Sequence, residues 1–199
     1  MLKRKIYQQL QEWRDSHYED CLLVKGARQV GKTFAITQFG QTEYESFIAI
    51  NFIESPQLKA LFDGDLSSSN IKKQMTMLIP GIQFIAEKTL IFLDEIQECP
   101  NARTALKFLA QDNTIDVIAS GSLLGLSYAS VSSIPVGYER QIEMYGLDFE
   151  EYLWALGYSE ETTNTLREHF HALEPLPDEV HKKMLEILHE FMAIGGMPA

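Results

Sequence analysis

Two spacings of apolar residues alternate along the chain. Short apolar-rich runs recur at Cys21–Val24, Ser46–Phe52, Thr89–Leu93, Ile115–Ala119 and Gln141–Tyr145. Such runs, bounded by Gly, Pro or polar residues, are the pattern of strands in a sheet covered on both faces. Between them, Thr33–Phe39, Asn70–Ala86 and Asn101–Ala110 read as helices, while Gly121–Val136, rich in Ser and Gly, reads as including a loop. Strand and helix in alternation predict right-handed crossovers and a five-stranded parallel sheet flanked by helices, an α/β fold. Ahead of it, Leu2, Ile6, Leu10 and Trp13 stand at helical spacing and predict an amphipathic helix packed on the sheet edge.

The pattern changes after the fifth run. Phe149–Trp154 opens an aromatic helix and Thr162–Leu173 a second. In a third, Val180, Met184, Ile187, Leu188 and Phe191 form one apolar face that requires a covering surface. The chain therefore divides into a core over 1–146 and a small helical region over 147–199. Because no later element is present to cover that last face, the 199 residues read as the front of a longer protein.

Charge narrows the partners. Residues 1–33 carry seven basic and four acidic groups, whereas residues 139–199 carry four and thirteen. So acidic a C-terminal region repels a phosphate backbone, which argues against nucleic-acid binding by this fragment. The two cysteines, Cys21 and Cys99, form neither a disulfide framework nor a metal-ligand spacing, and no apolar run is long enough to span a bilayer. A reduced, cytoplasmic setting without membrane attachment is expected.

The chemistry concentrates at two strand ends. Gly26-Ala27-Arg28-Gln29-Val30-Gly31-Lys32-Thr33 is a complete G-x-x-x-x-G-K-[ST] between a strand and a helix. Its glycines let successive amides converge on phosphate oxygens at the positive helix end, where Phe34 continues the first turn. Lys32 supplies a charge to the β- and γ-phosphates, and the Thr33 hydroxyl a ligand for Mg²⁺. Nucleotide contacts are thus expected from Gly26 through Phe34. About sixty residues on, Leu90-Ile91-Phe92-Leu93 delivers Asp94 and Glu95 to the strand edge where ligands sit in open α/β sheets. Asp94 is expected to hold Mg²⁺ and Glu95 to orient and deprotonate the attacking water. Ser120, at the tip of the fourth run, could sense the γ-phosphate or orient water, or simply end the strand in a Ser-Gly turn; Gln97 carries the same alternative.

The segments GARQVGKT, LIFLDEIQ, ASGSLLG, PVG and MYGLDFEEYLWA resemble the AAA-type P-loop ATPases of bacteria and archaea that carry a C-terminal domain of poorly defined function. The resemblance covers most of the chain. It implies the sheet order 5-1-4-3-2, ATP as ligand, and then a lid or winged-helix region and a nuclease-like domain. Tyr138 departs from the family pattern where Lys or Arg commonly follows PVG, and Gly146 where Pro is usual. Arg140 and Arg103 are then the candidate fingers for a neighbour's nucleotide, with surface salt bridges as the plainer reading of both. Arg28 is expected to hold the loop in shape.

The leading reading is Mg-dependent ATP binding and hydrolysis, with homo-oligomers and a partner protein engaged through the C-terminal region. The alternative is an ATP-gated interaction module with negligible turnover. No Asn-Lys-x-Asp guanine-reading segment is present, and Leu147–Ala199 offers only Arg167 toward the arginine-rich lid of a kinase.

Overall fold

The computed structural model describes residues 2–16, 20–122 and 137–198. Five strands form one sheet: β1 (Cys21–Gly26), β2 (Ser46–Asn51), β3 (Thr89–Asp94), β4 (Asp116–Ser122) and β5 (Glu139–Glu143). All pairings are parallel, in the order β2-β3-β4-β1-β5, which is the expected 5-1-4-3-2 read from the other edge. The last strand lies two residues earlier than Gln141–Tyr145. It is an edge strand paired to β1 alone, and Ile142 is its one apolar residue, which blurs its ends in the sequence.

The helices are α1 (Ile6–Asp15), α2 (Lys32–Glu43), α3 (Ser68–Leu78), α4 (Pro100–Ala110), α5 (Phe149–Ala155), α6 (Glu160–Ala172) and α7 (Asp178–Ile194). A 3₁₀ segment at Pro56–Phe62, unforeseen in the sequence, buries Leu61 and Phe62. Expected as far as Ala86, α3 stops at Leu78 because Pro80 and the positive-φ Gly81 follow. Gly121 and Ser122 complete β4, and the rest of the loop expected there lies outside the described residues.

Alternate residues of β3 serve opposite layers. Ile91 and Leu93 join Ala102, Ala105, Leu106 and Leu109 of α4 in one cluster with Phe52, Phe62 and Met75. Phe92 points the other way and stacks on Phe47 of β2, with ring centroids 6.4 Å apart. Gly40 of α2 meets that layer so closely that an added Cβ would fall 2.2 Å from the Phe47 ring. Every residue of β3 is buried, so its end is held firmly.

Contacts divide the chain into two compact units: Gln8–Met144, and a second that joins Met1–Tyr7 to Tyr145–Ala199. The first seven residues, placed with the core in the sequence reading, thus belong to the helical unit. Asp148 caps α5, its side chain accepting from the Glu151 amide while Glu151 reaches back to the Asp148 amide. Glu151 also accepts from the Lys5 amide at 2.6 Å and pairs with Arg4 at 3.2 Å, both side chains buried. Lys3 and Lys5 both lie over the Trp154 ring. The α7 face is not bare as expected: Phe191 packs against Phe149 and Tyr152 of α5, at 5.8 and 5.2 Å between centroids. Among the described residues no helix is long and apolar enough to cross a membrane.

Removing one partner of a buried ion pair leaves the other charged and unmatched, at a cost of about 3–5 kcal/mol. Glu151→Ala is therefore expected to lower the unfolding midpoint by several degrees. Arg4→Met combined with Glu151→Leu should recover much of the loss; thermal unfolding of the two variants beside the parent checks both.

Candidate functional site

The phosphate-loop sequence occupies the turn from β1 into α2, and its glycines are required there. Gly31 sits at φ 93° as the N-cap residue of α2, with no side-chain cap on the helix end, so the first-turn amides keep their donors for a ligand. Gly26 lies against the chain after β5: the Met144 amide donates to the Lys25 carbonyl at 2.7 Å, and a Cβ on Gly26 would fall 2.2 Å from the Met144 carbonyl oxygen. Gln29 also takes a left-handed conformation, φ 66°, which costs a non-glycine residue about 1 kcal/mol.

Within the loop, Lys32 curls back and donates to the carbonyls of Gly26 at 3.0 Å and Ala27 at 2.7 Å. Burial pushes its ammonium below the ordinary lysine value, Glu95 and Asp94 pull it back up, and Arg28 adds to the lowering. Val30 is buried and pins the loop, whereas Ala27, Arg28, Gln29 and Phe34 are exposed. Within the loop the packing comes from Val30 and the side-chain bonds to the backbone from Lys32.

Asp94 gathers donors from four directions. Thr33 Oγ1 donates to its Oδ2 at 2.9 Å and Asn51 Nδ2 to the same oxygen at 3.0 Å. Ser120 Oγ and the Glu95 amide donate to Oδ1, the latter at 3.1 Å. Ser120 is fully buried, so it does not merely end the strand. Asn51, which the sequence reading missed, pairs level with Asp94 in the sheet register, and its Oδ1 accepts the Ile53 and Glu54 amides at 2.9 and 3.1 Å. Those bonds leave its amide group facing Asp94. A polar residue closing an apolar strand beside the Asp-Glu strand was the available signal, masked by the frequency of Asn in turns.

Glu95 follows at φ 53°, ψ 47°, a left-handed residue that ends β3 and starts the short turn Ile96–Glu98. Its carboxylate accepts from Gln97 Nε2.

The two arginines weighed as candidate fingers are both in ion pairs, the plainer of their two readings. Arg103 is not a surface residue but is buried, and pairs with Glu139 at 3.2 Å. Arg140 pairs with Asp20 at 3.1 Å. Glu139 aligns with Cys21 at the start of β1, so both pairs lie toward the edge opposite the phosphate loop. Tyr138 accepts from Gln111 at 3.3 Å and has Lys107 over its ring. At Gly146 a Cβ would come within 2.7 Å of the Gly196 carbonyl oxygen, which accounts for glycine there.

A glycine loop between β1 and α2, with an acidic residue at the end of β3 on a β2-β3-β4-β1-β5 sheet, defines the P-loop nucleoside triphosphatase fold. Within that fold, residues 18–153 match the family described as AAA domain, and the chain belongs to it. Among solved structures it is similar to the Walker-type ATPase of Pyrococcus abyssi, with a TM-score of 0.55 and 16% identity, covering all of this chain and 65% of that one. It thus spans just under two thirds of that relative's length. PCH-2 of C. elegans is also similar, at TM-score 0.48 and 11% identity over 92% of this chain and 52% of that one. With 416 solved chains matching, the architecture alone selects no single activity. A search of curated proteins finds no match.

Gly26→Ala forces its new methyl onto a carbonyl oxygen, and overpacking of this kind costs about 1–3 kcal/mol. A lower unfolding temperature together with weaker nucleotide binding is expected, read by thermal unfolding and a fluorescent nucleotide. For Arg103→Met the expected loss is about 3–5 kcal/mol, since the buried Glu139 carboxylate loses its counter-charge and keeps only the Gln141 amide as a donor. Turnover per folded molecule should stay at the parent level; a specific loss of turnover would restore Arg103 as a finger.

Proposed function

We propose that the chain binds ATP with Mg²⁺ and hydrolyses it. The observation that carries this reading is the convergence of Lys32, Thr33 and Asp94 where α2 begins and β3 ends. The hydroxyl of Thr33 and the carboxylate of Asp94 are hard oxygen donors already 2.9 Å apart, the chemistry Mg²⁺ prefers. Among the described residues no group of three or more His, Cys, Asp or Glu could hold a metal alone. Thr33 and Asp94 would hold such an ion, with phosphate and water completing its ligands, and it would supply neutralisation of phosphate charge.

The residues divide the work. Amides of the loop from Gly26 to Gly31, with those of Lys32, Thr33 and Phe34 at the helix start, cradle the phosphates. Lys32 exchanges two carbonyl partners for phosphate oxygens, which offsets its burial. Asp94 and Ser120 orient the Thr33 hydroxyl and the cation. Glu95 takes the proton of the attacking water. Loss of turnover in Glu95→Gln with ATP binding kept is the mark of an ATPase; binding without turnover in the parent would favour an ATP-gated module instead.

The family supports ATP binding and hydrolysis in general. Cation dependence, a cytoplasmic setting, self-association and a protein partner for the helical unit are further parts of this proposal. A nuclease-like domain beyond these residues is implied by the resemblance alone.

Phosphate release from Mg-ATP tests the reading. Lys32→Ala is expected to lose both binding and turnover, whereas Glu95→Gln should keep ATP and lose at least about 100-fold in turnover. Full turnover by either variant would refute the assigned roles.

A further inference from the structure

Beside Glu95 lies a buried acceptor that the reading above does not use. Gln97 Nε2 donates to Glu95 Oε2, and the bond settles the orientation of the amide, because an ionised carboxylate can only accept. The other end of that amide, Gln97 Oε1, is buried and has no hydrogen-bond partner among the described residues. Buried acceptors are rarely left so, and one beside a catalytic carboxylate points to a donor that arrives with the reaction. The turn holding Gln97 is well anchored: Ile96 is fully buried, the Glu98 amide donates to the Glu95 carbonyl at 2.9 Å and the Cys99 amide to the Ile96 carbonyl at 3.0 Å.

We infer that Gln97 is a positioning residue for the attacking water, accepting one of its O–H groups at Oε1 while Glu95 accepts the other. This rests on the ATPase reading. Held at both hydrogens, the water presents a lone pair to the γ-phosphorus. A new P–O bond forms from the water, the bond from the γ-phosphorus to the bridging oxygen breaks, ADP leaves with that electron pair, and the water proton passes to Glu95. Nε2 keeps the Glu95 carboxylate turned toward that water, so one amide orients base and nucleophile together.

Gln97→Met keeps the length of the side chain and removes both polar atoms. Single-turnover phosphate release and fluorescent-ATP affinity are to be compared in the parent, Gln97→Met, Glu95→Gln and the double variant. Expected are a 10- to 100-fold slower step in Gln97→Met, roughly the range for misplaced reacting groups, and affinity within about twofold of the parent. In the Glu95→Gln background the second change should cost almost nothing, because the two residues act as a unit. Parent-like turnover in Gln97→Met, equal losses of affinity and rate, or additive losses in the double variant would each overturn the proposal while leaving the ATPase reading standing. A parent that binds ATP without hydrolysing it would overturn both.

Discussion

The site depends on a single buried carboxylate. Asp94 is almost inaccessible, and a charge removed from water is tolerated only when its oxygens are matched. Its donors come from α2, β2, β4 and its own following amide. Each depends on register: Asn51 faces Asp94 only because β2 and β3 pair level at their ends. The same bonds that satisfy the charge therefore tie three strand tips and one helix start to a common point. A helix end free of side-chain caps can then hold its amides in place for phosphate, since its first hydroxyl is tethered to the sheet.

The two edges of the sheet are built differently. At the phosphate-loop edge, polar groups converge but keep exchangeable partners, as Lys32 does with two carbonyls. At the opposite edge, Arg103 and Glu139 are paired and buried, and Arg140 is tied to Asp20. Positive charge there is committed to holding β5 and α4 in place, and Tyr138 lies beneath Lys107. Glu95, at the phosphate-loop end, takes a left-handed conformation that ends the strand, and its carboxylate accepts from Gln97.

The parts of this arrangement that obey local rules were legible in the sequence. The loop from Gly26 to Thr33 has a fixed spacing because backbone geometry demands it, and four apolar residues ahead of Asp94 announce a strand buried on both faces. Asn51, by contrast, acquires its role only from strand pairing, which one strand cannot reveal. Arg103 reads as an ion-pair residue, but its burial was not legible for a related reason: its partner Glu139 lies 36 residues away on an edge strand with little apolar signature. The expected bare face on α7 failed likewise, since α5 supplies Phe149 and Tyr152 from a segment whose aromatic residues gave no direction.

The ion pair of Arg4 with Glu151 sets an order of events on the ribosome. The unit it belongs to is discontinuous, its first piece ending at Tyr7 and its second beginning at Tyr145. At about 5–20 residues per second of synthesis, Arg4 emerges many seconds before its carboxylate exists. All five strands are made in that interval, so the nucleotide-binding sheet can close while the helical unit still lacks most of its chain. The order of the chain thus separates synthesis of Lys3, Arg4 and Lys5 from that of α5, the helix they contact, by the whole of the sheet.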